Sequence, residues 1–188
     1  NQLIELLNDL KIDKIHLIGF SIGSLIARNF ATKFNDRLKS LILLGSIYKR
    51  SEEQQKVVNS RFDQAKKELK LSKQALKRWF TDEYLKKNTG TYEKISSILS
   101  SNNMSNFLKV YELFVRHKND EDFEKIKVNT LIMTGEYDVG STVEMSEELN
   151  KIIKNSEIKI IKDGKHLCGI ECADDVNLTI KNFVSKNE

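Results

Sequence analysis

The chain has no proline, only two cysteines and no long hydrophobic run. A membrane-spanning helix needs about 20 consecutive apolar residues, and because no stretch approaches that length we expect no membrane span. The first residues also lack the charged-then-apolar pattern of a secretory signal. Two cysteines do not make a disulfide framework. These absences predict a cytoplasmic protein whose thiols stay reduced.

Basic residues are numerous but not clustered. Lysine and arginine total 31 against 27 acidic residues, a net charge of +4, yet no basic stripe interleaved with aromatic residues occurs. That distribution argues against nucleic-acid binding. Of the basic residues, 25 are lysine and 6 are arginine, which together with the absence of proline we interpret as coding bias rather than function.

The two ends of the chain alternate strand-like and helix-like patterns. Apolar strands are predicted at 15–20, 41–44, 128–133 and 158–161. Nearly continuous apolar strands linked by helices are typical of a parallel sheet covered on both faces. The sequence therefore predicts an α/β fold with about four strands. The helix after the first strand is expected to bury the face formed by Ile22, Leu25, Ile26, Phe30 and Phe34.

The middle of the chain has a different character. Residues 51–125 show no strand pattern, a higher charge density and apolar residues at helical spacing. We interpret them as a helical cap inserted into the α/β core, with an internal break at Thr89 and Gly90. The predicted organisation is a core at 1–50 and 126–188 and a cap at 51–125.

A G-x-S-x-G motif, Gly19-Phe20-Ser21-Ile22-Gly23, lies between the first predicted strand and the following helix. In this context the motif forms a sharp turn that presents a strained serine above the strand end. The glycines are expected where neighbouring chain passes too close for a Cβ atom. We predict Ser21 as a nucleophile and the backbone N–H of Ile22 as a donor to a developing oxyanion.

A nucleophilic serine needs a base, and the base needs an orienting carboxylate. Two later predicted strands end in the segments 134–138 and 162–166, which contain Glu136, Asp138 and His166. Both segments follow the carboxyl ends of parallel strands, where open α/β sheets build their sites. The chain order serine, acid, histidine predicts Asp138 as the acid, with Glu136 as its competitor, and His166 as the base.

The other histidines and the cysteines are expected to have no catalytic role. His16 begins a strand, and His117 lies at a charged helix end. Cys168 and Cys172 lie near His166, but a C-x₃-C pair with one histidine lacks the spacing and the fourth ligand of a zinc site. We therefore predict no metal and no organic cofactor.

Three motifs together resemble the α/β-hydrolase superfamily, and the resemblance covers the chain from residue 1 to about 185. They are the serine motif, Gly135-Glu136-Tyr137-Asp138 and Gly164-Lys165-His166. Within that superfamily the chain resembles the 3-oxoadipate enol-lactonase-like group. The segments similar to that group are Arg78-Trp79-Phe80-Thr81, Gly140-Ser141-Thr142 and Ile170-Glu171.

The resemblance implies a serine hydrolase that cleaves a small-molecule ester or lactone through Ser21, His166 and Asp138. Three alternatives are a carbon–carbon bond hydrolase, a cofactor-free haloperoxidase-like enzyme with the same residues, and an inactive fragment that serves as an interaction module. The cap would set substrate choice.

Phe20, Trp79 and Phe80 are the predicted pocket-lining residues, although the two cap aromatics would equally well pin their helix to the core. A substrate carboxylate would favour a nearby arginine. Arg78 and Arg116 are available, but the sequence orients neither.

The family pattern also implies more chain than this sequence contains. Such enzymes have about four strands before the serine motif, and the second oxyanion donor follows the third of them. Here one predicted helix precedes the first strand and residue 1 is Asn, so we expect the N-terminal half of the fold to be missing. Residues 15–20 would then form an open sheet edge, available to another chain or to a second copy in a homo-oligomer.

Overall fold

The computed structural model describes residues 2–68 and 74–188, which fold around a parallel sheet of four strands. The strands are β1 (Ile15–Phe20), β2 (Leu38–Leu44), β3 (Asn129–Gly135) and β4 (Ser156–Ile161), in the spatial order β1-β2-β3-β4. All three neighbouring pairs are parallel. The predicted α/β class is confirmed. Three strands are longer than their apolar runs, because backbone pairing includes polar residues such as Ser40 and Thr134.

Helices flank the sheet and fill the long connection between β2 and β3. The first two are α1 (Gln2–Asp9) and α2 (Ile22–Lys33), followed by a short 3₁₀ turn at Asn35–Arg37. The connection contains α3 (Glu52–Glu68), α4 (Gln74–Trp79), α5 (Asp82–Lys87), α6 (Thr89–Ser101) and α7 (Met104–Val115). After a second 3₁₀ turn at Phe123–Lys125 come α8 (Val143–Ile152), α9 (Cys168–Glu171) and α10 (Ala173–Lys186). No helix of the described segments is long and apolar enough to cross a membrane.

Side-chain alternation along β2 creates a core on each face of the sheet. Leu41 and Leu43 belong to the core shared with α1, α2 and α8, whereas Ile42 and Leu44 belong to the core shared with α10. Successive strand side chains point to opposite faces, so an uninterrupted apolar run fits a strand that is covered on both sides. The sheet is thereby a rigid base for the loops at its carboxyl edge.

The connection from α3 to α7 contains no strand among the residues that the structure describes. Residues 69–73 of the predicted cap lie outside those residues. The break between α5 and α6 falls at Asn88, one residue before the predicted position, and Gly90 lies in the first turn of α6. Aromatic contacts hold α3 to α7: the rings of Phe62 and Tyr111 meet edge to face, with centroids 5.5 Å apart.

A buried ion pair joins α2 to the segment between α7 and β3. The fully buried Arg28 donates to Glu121 Oε1 at 2.7 Å and to the carbonyl oxygen of Ile47 at 2.7 Å. Burial raises the pKa of Glu121, but the hydrogen bond from His117 and the charge of Arg28 outweigh that effect and lower the pKa to about 2. The carboxylate is therefore ionised at neutral pH and neutralises the buried guanidinium.

We expect Glu121→Gln to lower the free energy of unfolding by about 3–5 kcal/mol, because it leaves Arg28 buried without its counter-charge. The folded-state pKa of Glu121 is depressed, so its stabilisation is present above the unfolded-state value of 4.5 and is lost as the pH falls towards 2. Urea denaturation at neutral pH and at pH 3 measures both effects.

The matched control for this prediction is Glu112→Gln. Glu112 and Arg116 are also 2.7 Å apart, but on the surface, so we expect a loss of at most about 1 kcal/mol. Equal losses in the two variants would contradict a special role for the buried pair.

Candidate active site

Ser21 lies in the turn between β1 and α2, with its backbone in a strained conformation. Its φ of 52° and ψ of −120° fall outside the regions that residues with side chains normally adopt. The Ser21 N–H donates to the carbonyl oxygen of Leu44 at 2.9 Å, and the Ser21 carbonyl oxygen accepts from the N–H of Ser24 at 2.9 Å. Such strain persists only where the surroundings enforce it, and these two bonds hold the serine at the carboxyl end of β1.

One of the two motif glycines is required by a close approach. A Cβ atom on Gly19 would clash with the carbonyl oxygen of Gly23 and lie 2.7 Å from Cβ of Ala27. Only glycine therefore lets α2 pack this closely on β1. The corresponding position on Gly23 has open space in the described structure, so the prediction of a close approach is wrong for Gly23.

Ser21, His166 and Asp138 form a continuous chain of hydrogen bonds. His166 Nε2 is 3.0 Å from Ser21 Oγ, and His166 Nδ1 is 2.7 Å from Asp138 Oδ2. The other carboxylate oxygen, Oδ1, accepts the N–H groups of Gly140 at 2.8 Å and Ser141 at 3.0 Å. Asp138 thus presents one oxygen to the imidazole, which favours a proton on Nδ1 and leaves Nε2 free to accept the Ser21 hydroxyl proton.

Glu136, the competing acid, lies outside this chain of hydrogen bonds. It is exposed, and its Oε2 accepts the N–H of Asp163 at 3.0 Å. The N–H of Tyr137 donates to the carbonyl oxygen of Gly164 at 2.8 Å. These two bonds clamp the loop after β3 to the loop after β4, which brings Asp138 and not Glu136 against the histidine.

The loop that carries the histidine is also held from the side of the insertion. One oxygen of Glu171 accepts the N–H of Lys165 at 3.1 Å, and the other accepts the N–H of Thr81 at 2.9 Å. The N–H of Leu167 donates to the carbonyl oxygen of Trp79 at 2.9 Å. Leu167 is therefore bound directly to the end of α4, and Lys165 is linked through Glu171 to Thr81 in the turn between α4 and α5. The sequence had suggested no such role for Glu171.

A cavity of about 230 Å³ opens onto Ser21 and His166. Ile22 lines it at the first position of α2, where the helix supplies no acceptor for a backbone N–H. The cavity is otherwise lined largely by side chains of α3, α4 and α7 and by the loop that follows β3. The strand ends thus provide the reactive groups, and the helical insertion encloses the space above them.

Of the three aromatic residues predicted to line the pocket, Trp79 alone does so in the described structure. The prediction for Phe80 is wrong: the side chain is fully buried and stacks on Tyr84 with ring centroids 5.2 Å apart, because it fills the contact between α4 and α5. The prediction for Phe20 is also wrong. Its ring lies beside that of His166, at a centroid distance of 5.1 Å, rather than in the cavity wall.

Three arginines line the cavity, and two of them, Arg50 and Arg61, were not predicted from the sequence. The third is Arg78, whereas Arg116 lies on the surface and pairs with Glu112. Burial lowers the pKa of Arg50 to about 10 and also lowers the pKa of Arg78, which the positive charge of Arg61 depresses further. Guanidinium groups keep their positive charge in proteins, so this wall of the cavity is cationic.

The cysteines and the other histidines take no part in the hydrogen-bonded chain. Burial raises the pKa of the Cys168 thiol to about 12, so it stays protonated at neutral pH. His16 bonds to Ser40 on the sheet, and His117 belongs to the cluster around Arg28. Within residues 2–68 and 74–188, no group of three or more His, Cys, Asp or Glu side chains is arranged to hold a metal ion.

Comparison with known proteins agrees with this architecture. The chain is similar to (E)-2-((N-methylformamido)methylene)succinate hydrolase of Acinetobacter baylyi, with 26% identity over 96% of this chain and 69% of that protein. It is similar to 3-oxoadipate enol-lactonase 2 of the same organism, with 22% identity over 97% and 68%. The solved enol-lactonase from Burkholderia xenovorans LB400 superimposes with a TM-score of 0.80 over 98% of this chain and 70% of that one, at 20% identity.

A family model described as "alpha/beta hydrolase fold" matches residues 2–171. That match covers most of the chain, including the four parallel strands and the loops that carry Ser21, Asp138 and His166. The chain belongs to the alpha/beta hydrolase fold family.

Proposed function

We propose that the protein is a serine hydrolase that cleaves a small-molecule ester or lactone. The observation that carries the proposal is the hydrogen-bonded chain from Ser21 through His166 to Asp138, all three of which line a cavity. A histidine held between a carboxylate and a serine hydroxyl makes that hydroxyl nucleophilic at neutral pH. The relatives named as a hydrolase and as enol-lactonases support this class of reaction.

In the proposed reaction, His166 Nε2 accepts the hydroxyl proton as Ser21 Oγ attacks the substrate carbonyl carbon. Asp138 keeps Nδ1 protonated and stabilises the imidazolium that forms. The N–H of Ile22, at the start of α2, donates to the developing oxyanion. The imidazolium then gives its proton to the leaving oxygen, and His166 activates a water molecule that hydrolyses the acyl-enzyme. In a lactone the bond between the carbonyl carbon and the ring oxygen breaks in the first step, but that oxygen stays attached through the carbon chain, so hydrolysis of the acyl-enzyme releases a single product.

The size of the cavity favours a compact substrate. Sites for drug-sized ligands occupy roughly 300–1,000 Å³, and the 230 Å³ available here lies below that range. Because α3, α4 and α7 enclose the space, we infer that this insertion acts as a cap that selects the substrate. Short acyl groups and small rings fit these dimensions better than long alkyl chains.

Fluorophosphonate labelling tests the proposed nucleophile. Such reagents phosphonylate a serine that a neighbouring base activates, so we expect one label per chain, located on Ser21 by peptide mass spectrometry, with parallel loss of p-nitrophenyl acetate hydrolysis. Ser105, exposed on α7, is the internal control and should stay unlabelled. Absence of a label on Ser21, or full labelling with hydrolysis retained, would contradict the proposal.

A further inference from the structure

Half of the arginines in the chain line one cavity. The chain has 25 lysines and 6 arginines, yet Arg50, Arg61 and Arg78 all reach the same space. They come from three separate elements: the loop before α3, α3 itself and α4. A guanidinium group, unlike an ammonium group, binds a carboxylate through two parallel hydrogen bonds. The convergence of three of the few arginines therefore indicates a site that needs guanidinium groups rather than positive charge alone.

Within the part of the chain that the structure describes, no carboxylate supplies a counter-charge to these cations. Among the described residues Asp138 is the one acidic residue that lines the cavity, and both of its oxygens already accept hydrogen bonds. No carboxylate of the described chain lies within 4.0 Å of the three guanidinium groups. Residues 69–73 include no Asp or Glu. Like charges brought together in a partly buried space repel one another, and an anionic ligand would relieve that repulsion.

Tyr111 of α7 lines the same cavity as the three arginines. Its ring packs against Phe62, Phe107 and Phe114 at centroid distances of 5.5, 5.4 and 6.1 Å, which holds the side chain in place. Burial raises the pKa of Tyr111, and the charges of all three arginines oppose that rise. The phenol, a hydrogen-bond donor at neutral pH, therefore lies within electrostatic range of every guanidinium group.

The three arginines differ in how firmly the protein holds them. Arg50 donates to the carbonyl oxygen of Phe114 at 3.1 Å, and its guanidinium lies 4.4 Å from the centre of the Phe114 ring. These contacts anchor Arg50 to α7, so its charge contributes to the field of the cavity more than to direct contact with a ligand. Among the described residues no such anchoring contact holds Arg61 or Arg78, both of which line the cavity, so these two side chains are the candidates for direct contact with a ligand.

We propose that Arg61 and Arg78 bind a carboxylate of the substrate beside Tyr111 while the scissile carbonyl lies at Ser21. The substrate is then an ester or lactone that bears a free carboxylate away from the bond that is cleaved. The reacting end of this statement rests on the proposed hydrolase function, whereas the anion-binding end does not, so the two can be tested separately.

A pair of esters of similar length tests the preference for a carboxylate. We expect kcat/KM to be at least about 10-fold higher for mono-p-nitrophenyl glutarate than for p-nitrophenyl butyrate, because charged hydrogen bonds are each worth about that factor or more. Arg78→Gln or Arg61→Gln should lower this ratio by roughly 10- to 100-fold, mainly through KM. Arg116→Gln removes the same charge outside the cavity and should leave the ratio unchanged. No preference for the carboxylate, or a ratio unaffected in both cavity variants, overturns the proposal.

Calorimetric titration of glutarate into the Ser21→Ala variant separates binding from catalysis. We expect glutarate to bind, and Arg78→Gln in that background to weaken binding by roughly 10- to 100-fold. If glutarate binds in this way but the unmodified protein hydrolyses no ester, the hydrolase proposal fails and the carboxylate site stands. Ester hydrolysis without glutarate binding overturns the carboxylate site alone, as does inorganic phosphate binding more tightly than glutarate.

Discussion

Replacing Ser21 with alanine should lower kcat for p-nitrophenyl acetate by about 10⁵- to 10⁶-fold, the scale found when one member of such a catalytic unit is removed. Ser21 Oγ is the hydroxyl placed 3.0 Å from His166 Nε2. Without it the histidine can activate only water, and no acyl-enzyme forms. Initial rates, corrected for spontaneous hydrolysis, measure the effect.

The fold should be unaffected by this substitution. The Ser21 bonds that hold the turn are made by its backbone N–H and carbonyl oxygen, which alanine retains, and alanine meets the same backbone strain at a φ of 52°. We therefore expect an unchanged circular dichroism spectrum and thermal midpoint. Ser105→Ala is the matched control and should keep full activity. A Ser21→Ala variant within about 100-fold of the original kcat would exclude Ser21 as the nucleophile.

Asp138→Asn should lower kcat by about 10⁴-fold while leaving the fold intact, because it reverses the tautomer of His166. The N–H groups of Gly140 and Ser141 point at Oδ1, so an asparagine must place its oxygen there and turn its NH₂ group towards Nδ1. The ring then has to accept at Nδ1 and carry its proton on Nε2. In that state it cannot take the proton of Ser21.

Glu136→Gln is the matched control for Asp138→Asn. Glu136 contacts the N–H of Asp163 instead of the histidine, and a glutamine oxygen can accept the same hydrogen bond, so we expect kcat to change by no more than about two-fold, since surface substitutions are usually near neutral. Steady-state kinetics at pH 7–8 and thermal melts of both variants distinguish a catalytic effect from unfolding. Equal activities of Asp138→Asn and Glu136→Gln would exclude Asp138 as the orienting acid.

The predicted sheet agrees with the observed one because its signal is local. The run at 15–20 has the same bounds as β1, and the four strands are parallel as expected of apolar strands linked by helices. The prediction of which face of α2 is buried was less accurate. Ile26 was expected to be buried and is 65% exposed, whereas Arg28 is fully buried, because its partner Glu121 lies 93 positions away and no local pattern reveals that ion pair.

The positions of the reactive groups also follow from local patterns, whereas the residues of the cavity wall depend on contacts between distant segments. Ser21, Asp138 and His166 each follow a strand of one parallel sheet, and the structure brings them together as predicted; their catalytic roles stay predictions. The wall of the cavity depends on how α3, α4 and α7 pack. For Arg50 and Arg61 the one signal in the sequence was the scarcity of arginine, 6 residues against 25 lysines.

The sequence by itself determined the α/β class and the three strand ends at which Ser21, Asp138 and His166 meet. Apolar runs specify strands, and parallel strands place their carboxyl ends on one edge, so chain order alone brings these loops together. Only the tertiary structure decided that Trp79 faces the cavity while Phe80 is buried, and that Arg61 and Arg78 converge near Tyr111. Those orientations follow from helix packing between distant segments, in which a rotation of one helix exchanges lining side chains for buried ones.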